Sequence, residues 1–147
     1  MVSIEEVYAE PGTSGAFDVD CDNVEAISAV EVRFTYDSAI GLDVSNVATT
    51  SRTDGWTVAF SEDEGNPSAV EVHVLLYNVS GWAIETGTGA ILVVEYDVDA
   101  GGFGVSPLGV TQGNLSDAQA QPVRAKWQDG TFHIVGPYRI YLPLVIR

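Results

Sequence analysis

Asp18, Asp20 and Asp22 stand at alternate positions in the stretch "DVDCDN", the spacing of the first ligands of a helix–loop–helix calcium site. Oxygens at that spacing would grip a hard cation, but the rest of the loop is absent. Its sixth position is Asn23, where the sharp turn needs Gly, and its twelfth is Ala29, where a bidentate Glu is needed. Phe17, Val19 and Cys21 fill the intervening positions, so the aspartates are expected on the solvated side of a strand. A second start at Asp97, "DVDAGG", fails at its twelfth position, Leu108. A calcium ion in that acidic loop stays open; no cofactor and no other metal is expected.

Other chemistry finds less support. His73 and His133 lie in separate apolar runs, neither within a cluster spaced for metal ligands or for activating a nucleophile. There is no Gly-x-Ser-x-Gly elbow and no phosphate-cradling glycine loop, and nothing singles out a catalytic pair among the carboxylates. The chain therefore reads as non-catalytic. Asn78 and Asn114 match the glycosylation triplet, which arises often by chance in Ser-containing loops. Trp56, Trp82 and Trp127 form no planar i, i+2 row of the kind that stacks on sugars, so packing or loop anchoring is their expected role. Cys21 has no partner for an intramolecular disulfide and alternates with Phe17 and Val19, the pattern of a small buried hydrophobe.

Composition sets the outer bounds. With 147 residues, 46% of them hydrophobic and 18% charged, the chain suits one globular domain. Twenty-one acids against six Lys and Arg give a formal charge of −15, which repels phosphate backbones and anionic lipid, so nucleic acid is not an expected partner. No apolar run is long enough to span a bilayer, and Met1 leads straight into an alternating stretch, so any secretion signal is expected to have been removed or never present.

Apolar residues recur at every second position almost throughout, the period of strands. Runs are expected at residues 2–8, 15–21, 29–36, 41–48, 56–61, 69–77, 89–98, 104–110, 123–127 and 131–135, separated by turn-forming stretches such as "EPGTSG", "SRTDG" and "EDEGNPS". Short strands with frequent turns predict an all-β protein, a two-sheet sandwich. The composition shifts at Gly136-Pro137, which divides the chain into a sandwich over residues 1–136 and an apolar tail over 137–147. The tail, "PYRIYLPLVIR", contains no acid but two of the six basic residues, Arg139 and Arg147. Its alternate members Tyr138, Ile140, Leu142, Leu144 and Ile146 predict an extra C-terminal strand, with Pro143 confining it to an edge. Such a strand can pair within its own subunit or be donated to a neighbouring copy, which would build fibres.

In "AVEVRFTY" the alternation turns Val30, Val32, Phe34 and Tyr36 inward and leaves Glu31, Arg33 and Thr35 outward. In "AVEVHVLLY" it buries Val70, Val72, Val74 and Leu76 and exposes Glu71, His73, Leu75 and Tyr77. In "GAILVVEYDV" the inward set is Leu92, Val94, Tyr96 and Val98, and the outward set includes Val93 and Glu95. Leu75, Tyr77 and Val93 are thus apolar residues facing water on strands expected to be neighbours, a candidate interaction patch.

The order of motifs from Val2 to Val135 resembles a cohesin module, the receptor half of the cohesin–dockerin pairs that assemble cellulosomes and other surface complexes. The carrying segments are "EPGTSGAFDVDCDNVEAISAVEVRFTYDSAIGLDVSNV" and "ETGTGAILVVEYDVDAGGFGVSPLGVTQGNLSDAQAQPVRAKWQDGTFHIV". They contain a Gly loop before a valine-rich strand, a strand ending in Tyr36-Asp37, a Leu42-x-Val44 strand, and a closing "DG-x-F-x-I" hairpin at residues 129–134. Two features depart from the family pattern: Ser38 stands where Pro is common, and "SAIGLDV" has an extra small residue before Leu42. The resemblance implies a jelly-roll sandwich of about nine strands, secreted or on the cell surface. It also implies a flat face, built from the strands that carry Glu31 to Thr35, Glu71 to Tyr77 and Val93 to Glu95, that receives a dockerin-like or other surface partner, while partner specificity does not transfer. Self-assembly through the tail and carbohydrate binding are the rival functions.

Overall fold

The computed structural model describes residues 1–136; the expected tail strand from Tyr138 to Ile146 lies outside them. Twelve strands run in chain order: β1 (Val2–Ile4), β2 (Glu6–Ala9), β3 (Ser14–Cys21), β4 (Ala29–Tyr36), β5 (Leu42–Ala48), β6 (Thr57–Asp63), β7 (Val70–Tyr77), β8 (Ala90–Val98), β9 (Gly104–Ser116), β10 (Pro122–Val123), β11 (Trp127–Gln128) and β12 (Gly130–Ile134). Among the described residues, three short 3₁₀ turns interrupt them. The smaller sheet has the order β11-β1-β3-β8-β5, and the larger has β2-β12-β9-β4-β7-β6 with β10 alongside β9. The expected all-β, two-sheet sandwich is what forms, with twelve strands among the described residues in place of about nine.

The increase has a physical cause. The run at residues 2–8 becomes two strands, because the apolar phase flips across Glu5: Val2 and Ile4 are buried, then Val7 and Ala9. A chain that crosses from one sheet to the opposing one must turn its other side to the core, and β1 and β2 do belong to different sheets. The crossing is tight. A Cβ on Gly130 would lie 2.3 Å from Glu5 O and 2.7 Å from Ile4 O, so only glycine fits where β12 passes the corner. Residues 123–127 likewise split between sheets, β10 pairing with β9 and β11 with β1.

Between the sheets lies one core. Val30, Val32, Phe34 and Tyr36 of β4, Val70, Val72, Val74 and Leu76 of β7, and Leu92, Val94, Tyr96 and Val98 of β8 are all buried, as the alternation predicts. Phe17 bridges the layers, edge-on to Phe34 at 6.4 Å and to Phe132 at 6.5 Å. Polar atoms that enter the core find partners: the Tyr36 hydroxyl donates to Glu62 Oε2 at 2.7 Å and accepts from Val44 N at 3.3 Å. Buried Ser106 accepts from Asp37 N and donates to Pro107 O, both at 2.8 Å. Cys21 is a free, buried thiol. At Ser38 the chain turns locally: Asp37 caps a 3₁₀ turn over Ser38–Ile40, and Gly41 closes it in the left-handed region at φ 94°.

One cation ties the loops at an end of the sandwich. The Arg52 guanidinium donates to Cys21 O at 2.7 Å, Gly89 O at 3.0 Å, Asn23 Oδ1 at 2.7 Å and Glu85 O at 3.0 Å. It sits in a 3₁₀ turn, Ser51–Thr53, anchored by Thr50 Oγ1 to Ala90 O at 2.6 Å and by Thr53 Oγ1 to Ile91 O at 2.9 Å.

Candidate functional site: the outer face of the larger sheet

Strands β4 and β7 are antiparallel neighbours whose register sets Glu31 opposite Leu75, Arg33 opposite His73 and Thr35 opposite Glu71. All of these side chains point away from the core, because their alternate neighbours are buried. The seven outward residues predicted on these two strands therefore form a single surface: Glu31, Arg33, Thr35, Glu71, His73, Leu75 and Tyr77. Strand β9 extends it on one side, with Asn114 opposite Glu31 and Gln112 opposite Arg33, and β6 on the other, with Ala59 opposite Leu75 and Thr57 opposite Tyr77.

Val93 and Glu95 are elsewhere. Strand β8 lies between β3 and β5 in the smaller sheet, so these two residues face outward on the opposite side of the sandwich. The expectation that Val93 neighbours Leu75 and Tyr77 is corrected by this topology: alternation distinguishes inward from outward, but the same pattern serves both sheets.

The two outer faces differ in chemistry. On the smaller sheet Asp43 and Asp97 stand directly opposite one another, Glu95 lies two residues before Asp97 on the same strand, and Asp18 is further along the face, opposite Val93. Ser14 Oγ hydrogen-bonds Asp97, and Asn46 Nδ2 donates to Glu95 Oε2 at 2.9 Å. Burial, and then the charges of Glu64, Asp97 and Asp99, push the Asp43 carboxyl above the ordinary carboxylate range. Asp20 is raised too, by burial first and then by Asp18. Side chains at i and i+2 on one strand face stand roughly 7 Å apart, so Asp18 and Asp20 lie in a ladder and do not converge as loop ligands do. Among the described residues, no group of three or more His, Cys, Asp or Glu side chains is placed to hold a metal ion.

On the larger sheet acids and bases are interleaved. His73 Nε2 lies 2.7 Å from Glu31 Oε2, and Asn114 Nδ2 donates to Glu31 Oε1 at 3.1 Å. These two hydrogen bonds, that of His73 first, hold the Glu31 carboxyl below its usual range. Arg33 Nη1 meets Glu71 Oε1 at 3.5 Å, while Thr111 Oγ1 donates to Glu71 Oε2 at 3.2 Å. Thr111 reaches across the face to Glu71 because the register of β9 slips beside Arg33. Beside this polar network stand Leu75 and Tyr77, 42% and 40% exposed. The face thus offers an apolar patch flanked by fixed charges of both signs, the composition of a protein interface.

Tyr8 and Val105 share the face, and the alternation of β4, β7 and β8 does not single them out. Tyr8, His133 and Val105 form one row across β2, β12 and β9, with the Tyr8 and His133 rings stacked at 4.4 Å. Tyr8 and His133 both hydrogen-bond Glu6 Oε1, at 2.6 Å and 2.9 Å. The signal for Tyr8 is the flip at Glu5, which turns Glu6 and Tyr8 outward. The tryptophans make no platform: Trp56 is buried, Trp127 packs over Gly113, and Trp82 is exposed in a loop.

Comparison with known proteins agrees with the architecture. No protein-family model and no curated protein matches the chain. Among solved structures it is similar to a cohesin in a type I cohesin–dockerin complex from Clostridium thermocellum, at TM-score 0.76 and 20% identity over 91% of this chain and 97% of that one. A non-cellulosomal cohesin from the archaeon Archaeoglobus fulgidus gives TM-score 0.75 and 19% identity, over 96% and 94% of the two chains. The seventh ScaB type I cohesin of Pseudobacteroides cellulosolvens gives 0.72 and 17%, over 99% and 96%. At these TM-scores over more than nine tenths of each chain, this chain has the cohesin fold.

Proposed function

We propose that this protein is a non-catalytic, extracellular recognition module that receives a dockerin-like helical partner on the outer face of its larger sheet. The observation that carries the reading is the pairing of exposed Leu75 and Tyr77 with the Arg33, His73, Glu31 and Glu71 network on one flat surface. An apolar stripe on a partner helix would cover the two side chains, and the helix's polar flanks would meet the fixed charges. The solved cohesins that this chain resembles include several in complex with dockerins, which supports the partner class. Among the described residues no helix is long and apolar enough to cross a membrane.

The test is capture of a panel of dockerin modules by the immobilised protein, before and after Leu75→Asp with Tyr77→Asp. The reading expects at least one dockerin to bind and the double substitution to abolish binding while the melting temperature moves little. Binding that survives the substitutions would remove this face from the interaction.

A further inference from the structure

Two Asn-x-Ser triplets, Asn78-Val79-Ser80 and Asn114-Leu115-Ser116, occupy very different places in the fold. Asn78, partly exposed, follows the last residue of β7 and opens the connection to β8, residues 78–89. From Ile84 onward that connection is fixed to the sandwich, by bridges from Ile84 to Ile27 and from Gly87 to Asn23, and by Arg52 on Glu85 O. Before Ile84 the bonds are those of a turn alone: Ser80 N donates to Asn78 Oδ1 at 2.7 Å and Gly81 N to Asn78 O at 3.4 Å. Val79 and Trp82, 86% and 73% exposed, do not anchor the segment to the core. Among the described residues no hydrogen bond engages Asn78 Nδ2 or the Ser80 hydroxyl.

Asn114 is held from both sides. It lies inside β9, opposite Glu31 of β4, and the next two residues, Leu115 and Ser116, pair with Val123 and Pro122 of β10. Its Nδ2 donates to Glu31 Oε1 at 3.1 Å, and Leu115 is buried. An enzyme that modifies an asparagine must draw the whole triplet into its groove, so the surrounding chain has to open locally. For residues 78–83 the opening breaks only the turn's own bonds. For Asn114 it breaks ladder bonds to two neighbouring strands and uncovers Leu115.

We infer that Asn78 is an acceptor for an N-linked glycan and that Asn114, in the folded protein, is not. The donor is a polyprenyl diphosphate-linked oligosaccharide, presented by an oligosaccharyltransferase that reads the Asn-x-Ser triplet. Asn78 Nδ2 forms a C–N bond to the anomeric carbon of the first sugar, and the bond from that carbon to the diphosphate oxygen breaks, its electron pair leaving with the diphosphate. The amide gives up one proton to a base of the enzyme, and nothing is oxidised or reduced. The inference is independent of the partner reading. A glycan on Asn78 would stand beyond the end of β7, whereas one on Asn114 would stand on the face itself, opposite Glu31.

The test is to incubate the folded full chain with a solubilised oligosaccharyltransferase that accepts plain Asn-x-Ser triplets and with its lipid-linked oligosaccharide, and to follow both sites by glycopeptide mass spectrometry. Peptides covering residues 73–83 and 109–119, in the same reaction, report each triplet free of the fold. Transfer to Asn78 in the chain is expected within about threefold of the rate for its peptide, and transfer to Asn114 at least about tenfold slower than for its own. Asn78→Gln should abolish glycosylation of the folded chain, and Asn114→Gln should leave it unchanged. Absence of transfer to Asn78, in chain or peptide, would overturn the inference. So would an Asn78 slowed by the fold as much as Asn114, or an Asn114 modified in the chain as readily as in its peptide.

Discussion

Replacing Arg52 by Met should loosen an end of the sandwich without touching the core. The guanidinium reaches three backbone carbonyls and one side-chain amide oxygen, linking the end of β3 to the segments around Glu85 and Gly89. The bond to Glu85 O is exposed and water can replace it, whereas those to Cys21 O, Gly89 O and Asn23 Oδ1 lie in part-buried surroundings, the first two sharing the single nitrogen Nη1. Losing two such charge-assisted bonds, one per nitrogen, at roughly 1–2 kcal/mol each gives a destabilisation of about 2–4 kcal/mol. A domain of this size loses roughly 0.3 kcal/mol per degree near its midpoint, so the melting temperature should fall by about 7–13 °C. Differential scanning calorimetry measures it. Arg52→Lys should recover less than half of the loss, because a point charge cannot serve four acceptors spread over a planar fork. A fall of less than about 2 °C for Arg52→Met would refute the idea that this cation clamps the loops.

Phe34, fully buried and edge-on to Phe17, should cost about 3–5 kcal/mol on truncation to Ala, while Thr35→Ala next to it stays within about 0.5 kcal/mol; urea unfolding of the pair checks the strand phase. Stability should also rise as pH falls from neutrality toward the ordinary carboxylate range and drop once pH passes below that range. Asp43, Glu62 and Asp20 have carboxyls raised chiefly by burial, so the folded state holds protons that the unfolded state has released, and that stability is lost as pH rises through their window. Glu6 and Glu31 are lowered by hydrogen bonds, so their contribution is lost only at the acid end. Melting temperatures from neutral to acid pH, with Asp43→Asn and Glu62→Gln together, should show the rise on mild acidification flatten in the variant.

Alternation alone made the inward sets of β4, β7 and β8 legible, since a strand buried on one face has no other way to place Val32, Phe34, Val74 or Val94. Which sheet a strand joins is a different matter. Val93 and Leu75 read alike along the chain and are separated by the whole sandwich, because sheet membership is decided by pairings between segments far apart in sequence. The corner at Glu5 was visible as a flipped phase between Ile4 and Val7, although a run with a single apolar theme conceals it. Strand β9 continues past Val110 through "TQGNLS", where polar residues dilute the alternation and the strand is held by pairing with β4. Arg52 gave no local signal, for its acceptors are carbonyls that any sequence supplies; only the fold brings them together.

The most direct measurement is a backbone-amide shift map of the isotope-labelled chain titrated with dockerin modules. Recognition through the larger sheet predicts that the largest changes fall at Arg33, His73, Leu75, Tyr77 and Asn114. Changes centred on Asp18, Val93 and Glu95, or no change with any dockerin, would contradict it.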